Sequence, residues 1–488
     1  MAIESRTPLA QASIQDDGLS IRVGRISRRS ALFALAAPAL IPSACSRSEV
    51  GKKEVATAAP VAASPMKGLP RDLRPFPPTT EPMVRIKVAD VRRSEVEFGA
   101  VGQQLWITAP GTDVPGRACR GPVRLRHTKT GWSVRWSSGG RGGTAIFKTT
   151  GSIAIAKIGR KESGIEFEGR SLLGTIYVEP IRDTQGRTEL DVVCHLPMEL
   201  YLPGVVQKEL YPGWRPATFE AQAIAARSFA VCERAFWIRR RHYDLVAGQA
   251  SQAWTGGDAS LRARSAVRAT TGQLLVWRGQ VVPAYYSASC GGQPANAEDA
   301  ISENPVNSIP PLRAVAMSNG SVCGCVTSSP HGDWTITVPR GAFETAVLEF
   351  GRRKGDRRIS ELRRPLRLDV HHRNQTGRPV DFELAGAGGA APVLMSAESV
   401  RRILATASAG EAWNTRPRSA CFEVEATSGS LKIKGRGFGH GVGVCQYGAE
   451  EMASKGASSL EILERYYPGA KVYQAWSTAQ PARATPQA

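Results

Sequence analysis

Pro216-Ala-Thr-Phe-Glu-Ala-Gln-Ala-Ile-Ala-Ala-Arg-Ser-Phe-Ala230 decides how the middle of the chain folds. Phe219, Ala223, Ala226 and Ala230 recur at spacings of three and four, which places them on one face of a helix running to about residue 240. Pro216 suits the first helical turn, where its missing N–H is not needed. The alanines leave room for a second element to approach closely. Downstream, Leu274-Leu-Val-Trp277, a turn at Arg278-Gly279, and Gln280-Val-Val-Pro-Ala-Tyr-Tyr286 read as a β-hairpin. Residues 359–384 read as strands, 396–405 as a short helix and 421–433 as a strand pair. Upstream, short alternating segments such as Val84-Arg-Ile-Lys-Val88 and Thr175-Ile-Tyr-Val-Glu-Pro180 are split by glycine-rich turns. The expected fold class is α+β, with a small β-rich domain over 83–189 and a mixed α+β domain over 190–475.

The 488 residues carry 63 Lys and Arg against 43 Asp and Glu, a net charge of +20, and 42% of them are apolar. That apolar share excludes a disordered chain. The surplus charge implies a polyanionic partner, whether nucleic acid, an anionic membrane or an acidic wall polymer. The first 45 residues narrow the choice. Ser27, Arg28 and Arg29 precede an uncharged apolar run over 31–41, too short to span a bilayer, which reads as a twin-arginine-type export signal. The expected location is therefore the periplasm or cell envelope. With no nucleic-acid motif in the chain, nucleic acid is set aside as a partner. Ser43-Ala44-Cys45 resembles a lipoprotein processing site, so a lipid anchor through Cys45 stays open. Residues 46–82 are rich in Ala and Pro and read as a flexible linker, and 476–488 as a fraying tail.

Three segments carry the chemistry: Leu200-Tyr-Leu-Pro-Gly-Val-Val-Gln-Lys-Glu-Leu210, Ala221-Gln-Ala-Ile-Ala-Ala-Arg-Ser-Phe-Ala230 and Gly435-Arg-Gly-Phe-Gly-His-Gly-Val-Gly-Val-Cys-Gln-Tyr-Gly-Ala449. With Ala284-Tyr-Tyr-Ser-Ala-Ser-Cys-Gly-Gly292 and Leu463-Glu-Arg-Tyr-Tyr-Pro-Gly469, they resemble the stage II sporulation protein D and amidase-enhancer LytB family, in family order, over residues 190–475. The resemblance implies a lytic transglycosylase acting on peptide-stripped glycan strands, with Glu209 as catalytic acid and base and a 1,6-anhydro product. One carboxyl group suffices for that reaction, whereas hydrolases usually need two. Val205, Val206 and Leu210 would desolvate Glu209 and raise its pKa, and Lys208 would oppose them. The rival reading is a glycan-binding enhancer of a wall amidase that holds strands without cutting them.

Arg227 and Gln222 are candidate sugar contacts on the helix. Glu220, Arg227 and Arg234 share one side of it, so an ion pair of Arg227 with Glu220 or another acid is the alternative. Tyr286, Ser287, Ser289, His440, Gln446 and Tyr447 are candidate saccharide-binding groups, with a structural turn as the alternative for each. Glycine at every second position from Gly435 to Gly443 permits tight turns and lets backbone amides reach a ligand, but the spacing is not that of a dinucleotide or phosphate loop. Cys290, Cys323 and Cys325, with His331 nearby, are the constellation suited to zinc. The segment where family metal ligands are expected, residues 243–257, holds no cysteine and no histidine. A disulfide from Cys290 to Cys323 or Cys325 is therefore the first expectation and zinc the alternative; no cofactor is required.

Overall fold

The computed structural model describes residues 73–91, 94–138, 141–159, 164–248, 251–315, 323–408 and 415–477. The export signal, Cys45, most of the linker and the end of the tail lie outside the described residues.

The chain is α+β. Alternating apolar side chains in the first half form a seven-stranded sheet, ordered Leu245–Val246, Met83–Val91, Thr188–Pro197, Thr175–Arg182, Ile153–Lys157, Gln104–Thr108 and Arg117–Arg120. A four-stranded sheet, Glu95–Phe98, Val123–Thr128, Gly131–Ser138 and Arg141–Phe147, accompanies it. Thr188–Pro197 pairs antiparallel with Met83–Val91 on one side and Thr175–Arg182 on the other. The division expected between 189 and 190 thus runs through a central strand, and Leu245–Val246 adds to the same sheet from beyond it.

Two helices follow, α1 (Met198–Glu209) and α2 (Pro216–Trp237). Phe219, Ala223, Ala226 and Ala230 of α2 join Tyr201 and Val205 of α1 and Val84, Ile86 and Val192 of the sheet in one core. Ala221, Ile224 and Ala225 face a second core with Val282, Val444, Ile462 and Tyr467. Where the spacing predicted one apolar face, α2 is buried on two, and its small side chains permit both approaches. The hairpin forms as expected, Val276 opposite Val281 and Trp277 opposite Gln280, and Lys471–Gln474 adds a third strand. A third core gathers Phe343, Phe382, Phe422 and Ile433 from two three-stranded sheets and the helices Arg340–Lys354 and Ala397–Ala407.

Candidate functional site

Glu209 is the last residue of α1, partly buried, beside a chain that turns extended at Leu210. Its Oε2 accepts a 3.1 Å hydrogen bond from the Gln446 side-chain amide. Desolvation raises the Glu209 pKa; the bonds from Gln446 and the Ala253 backbone amide and the Lys208 ammonium act against it and do not win. No carboxylate is among the groups that shift it.

Gln446 opens the helix Gln446–Ser454, whose position is fixed from two directions. Val444 and Cys445 pair in parallel with Tyr286 and Ser287. On the other side, Glu450 accepts from the Arg215 backbone N–H at 2.9 Å, the Arg215 guanidinium at 3.0 Å and the Thr218 hydroxyl at 2.7 Å, tying this helix to the start of α2. Gln252 joins the remaining walls: it accepts from the Tyr201 hydroxyl at 3.0 Å and its amide reaches the Ala226 carbonyl at 3.1 Å and the Tyr286 hydroxyl at 3.0 Å. No motif marked Gln252 in the sequence. Its role comes from the meeting of three elements that are far apart in the chain.

An aromatic group borders Glu209. Tyr211, two residues on and 54% exposed, donates to or accepts from the Tyr447 hydroxyl at 3.2 Å, and Trp214 packs edge-on against Tyr447 with centroids 5.1 Å apart. His331 stacks on Phe438 at 4.9 Å and meets Tyr447 edge-on at 6.4 Å. Such faces suit the apolar C–H surface of a pyranose, with hydroxyls at the rim for hydrogen bonding.

The other expected sugar contacts point elsewhere. Arg227 is fully buried and its five N–H groups are all spent: on Glu199 at 2.9 and 2.8 Å, and on the carbonyls of Ala223, Gln273 and Val267. Its partner acid is Glu199, while Glu220 accepts from Ser459 and Arg234 donates to the Met83 carbonyl. The Ser287 hydroxyl accepts from the Gly441 N–H and that of Ser289 from the Gly291 N–H, so both serve the backbone. His440 accepts at Nδ1 from the Val442 N–H, and burial, reinforced by Arg378, pushes its pKa down to about 4. It is therefore neutral at neutral pH. The glycine-loop amides are likewise engaged, Gly437 with His331 and Gly439 with Arg418, rather than offered to a ligand. Gln222 differs. It is buried, and neither atom of its amide has a hydrogen-bond partner among the described residues. It lies one turn along α2 from Thr218, on the face that meets Glu450.

Residues 186–277 match the family model described as Stage II sporulation protein. Over that segment the chain is similar to this family. The match spans the strand Thr188–Pro197, α1 with Glu209, α2 and the first strand of the hairpin. The family is related to the cell wall. Similar proteins include an uncharacterized protein of Brachyspira hyodysenteriae, 23% identical over 66% of this chain and 79% of its own length. Stage II sporulation protein D of Bacillus amyloliquefaciens is 26% identical over 62% of this chain and 81% of its own length. The Amidase enhancer of Bacillus subtilis is 23% identical over 55% of this chain, and the alignment covers 39% of that longer protein.

Proposed function

We propose that the protein is an envelope lytic transglycosylase that cleaves N-acetylmuramyl–N-acetylglucosamine strands with Glu209 as the single acid and base. What carries the reading is Glu209 itself: a carboxyl group whose pKa desolvation raises, oriented by Gln446, and bordered by Tyr211, Trp214 and Tyr447. In its protonated form the carboxyl group carries the proton to be transferred. That proton passes to the glycosidic oxygen as the bond to the anomeric carbon breaks. The resulting carboxylate takes the proton of the muramyl C6 hydroxyl, whose oxygen bonds to the anomeric carbon. A 1,6-anhydro sugar forms, no water is consumed, and Glu209 ends protonated as it began.

Peptide-stripped strands fit the charge. Removing a stem peptide frees one carboxylate on each muramyl unit, and the chain carries a net +20. Placement outside the cytoplasm rests on Ser27-Arg28-Arg29 and the apolar run after it. The similarity to an Amidase enhancer supports a second reading, in which the same surface binds strands for a partner amidase without cutting them.

The test incubates purified protein with peptidoglycan before and after amidase treatment and reads the products by mass. Wild type should release anhydro-muramyl ends, preferentially from stripped strands, and Glu209→Gln should lose roughly a hundredfold or more in rate. Strand binding without anhydro ends would establish the enhancer reading, and water-added reducing ends would make the protein a hydrolase.

A further inference from the structure

Cys290, Cys323, Cys325 and Cys445 converge behind the site, all buried, with every Sγ within 4.8 Å of every other. We propose that these four thiolates bind one structural zinc ion. The expectation from sequence placed His331 in the set, but that ring stacks on Phe438 and faces Arg418, and the fourth ligand is Cys445, brought in by the strand pair with Ser287.

The dimensions favour a metal over a disulfide. A zinc–sulfur bond of about 2.3 Å puts tetrahedral ligands about 3.8 Å apart. The Cys290 and Cys325 sulfurs stand 3.6 Å apart. A disulfide needs about 2.05 Å, and the single one expected from Cys290 would leave two of the four thiols buried without a bond. The surroundings also suit thiolates. The Cys290 N–H points at the Cys445 Sγ at 3.4 Å, and the Tyr466 hydroxyl lies 3.4 Å from that of Cys323. Donors of this kind stabilise metal-bound sulfur. Gly448 faces the cluster, where a Cβ would lie 2.4 Å from the Cys323 sulfur. A cavity of about 390 Å3, lined in part by Cys290, Cys323 and Tyr466, supplies an entry path. With four cysteine ligands and no open position, the site is structural rather than catalytic.

The ion would tie together three loops that support the active residue. Cys290 follows the Tyr286–Ser287 strand, Cys325 begins a short helix, and Cys445 immediately precedes Gln446, the residue bonded to Glu209. The assignment rests on the thiol geometry and not on the proposed reaction, and its test reads metal rather than activity.

The full-length chain, purified reduced in zinc-containing buffer and desalted, is analysed by elemental mass spectrometry. One zinc per chain is expected. Cobalt substitution should give the intense visible ligand-field and near-ultraviolet charge-transfer bands of a tetrahedral thiolate site. His331→Ala and Cys421→Ser, which leave the tetrad intact, should retain a full equivalent, while Cys325→Ser should retain little. If Cys325→Ser fails to fold, titrating wild type with a mercurial decides: zinc should leave as the four buried thiols react. Substoichiometric zinc, iron in its place, equal zinc loss in His331→Ala, or an intact mass showing a disulfide within the tetrad would each overturn the assignment.

Discussion

Replacing Arg227 by methionine separates a structural role from a sugar contact. The guanidinium has 0% exposure and places five N–H groups on five acceptors, two on the Glu199 carboxylate and three on carbonyls. Removing one member of a buried ion pair costs about 3–5 kcal/mol, because the partner charge stays behind. Glu199 keeps the Gly272 N–H at 3.0 Å and the Trp476 indole N–H at 3.2 Å and is 15% exposed, which lowers the cost. The three carbonyls lose their donor, which raises it again. An expected loss of about 3–4 kcal/mol follows, a fall in urea midpoint of up to ~1 M, since m is ~1–3 kcal/mol/M for small proteins and larger for bigger ones. Tryptophan fluorescence would follow unfolding, since Trp476 contacts the pair. In Arg227→Met with Glu199→Met the orphaned charge is gone, and the double variant should be more stable than Arg227→Met alone. An unchanged midpoint combined with lost binding to stripped glycan strands would refute the argument and restore Arg227 as a ligand group.

Glu209 binds its proton more tightly in the folded than in the unfolded chain, so stability should fall as pH rises from the usual carboxyl range through the raised value. Glu209→Gln should therefore melt with wild type near pH 4, the ordinary glutamate range, and above it at neutral pH by about 0.5–2 kcal/mol; a constant offset would contradict this. The Gln446 hydrogen bond favours ionised Glu209, so Gln446→Leu should move the alkaline limb of kcat/KM to higher pH, and a shift to lower pH would show that this bond is not made in solution. Gln222→Met replaces a buried amide without partners among the described residues and should raise stability by about 1–2 kcal/mol in urea titrations; destabilisation would show that the amide is satisfied. At Gly443, with φ of +66°, a Cβ would lie 2.0 Å from the Tyr285 carbonyl oxygen. Gly443→Ala should cost at least ~2 kcal/mol, and a wild-type melting temperature would disprove the tight crossing.

Local signals read well and distant pairings did not. The spacing of Phe219, Ala223, Ala226 and Ala230 gave α2, the Arg278-Gly279 turn gave the hairpin, and Ser396 caps Ala397–Ala407 where a short helix was expected. Each depends on residues within a few positions of one another. α1 contains Pro203 and lacks a side-chain N-cap bond, so nothing local announced it, and Glu209 stood out only by family resemblance. The Glu199–Arg227 pair, the Gln252 junction and the addition of Cys445 to the thiols each join segments whose meeting is fixed by packing. Sequence proximity then misled, proposing His331 because it follows Cys325 closely. For the same reason Ser287, Ser289 and His440, polar and within motifs, read as ligand groups although their hydrogen bonds hold the backbone of crossing loops.

That division of labour bears on how one carboxyl group could serve twice. In the proposed reaction, between its two proton transfers, Glu209 must stay within reach of both the glycosidic oxygen and the C6 hydroxyl, although its charge changes and its pull on neighbouring donors changes with it. A neutral amide such as Gln446 tolerates both states, accepting no proton and carrying no charge, whereas a cation in its place would hold Glu209 ionised and spoil the first step. The amide must then be held by something other than the carboxylate. Glu450 secures its helix to α2, and the residue just before it, Cys445, pairs with the Tyr286–Ser287 strand and is one of the four thiols proposed to hold zinc. Ser287, Ser289 and His440 spend their hydrogen bonds on loop backbone, which leaves the aromatic edge of Tyr211, Trp214 and Tyr447 as the surface proposed to meet the sugar.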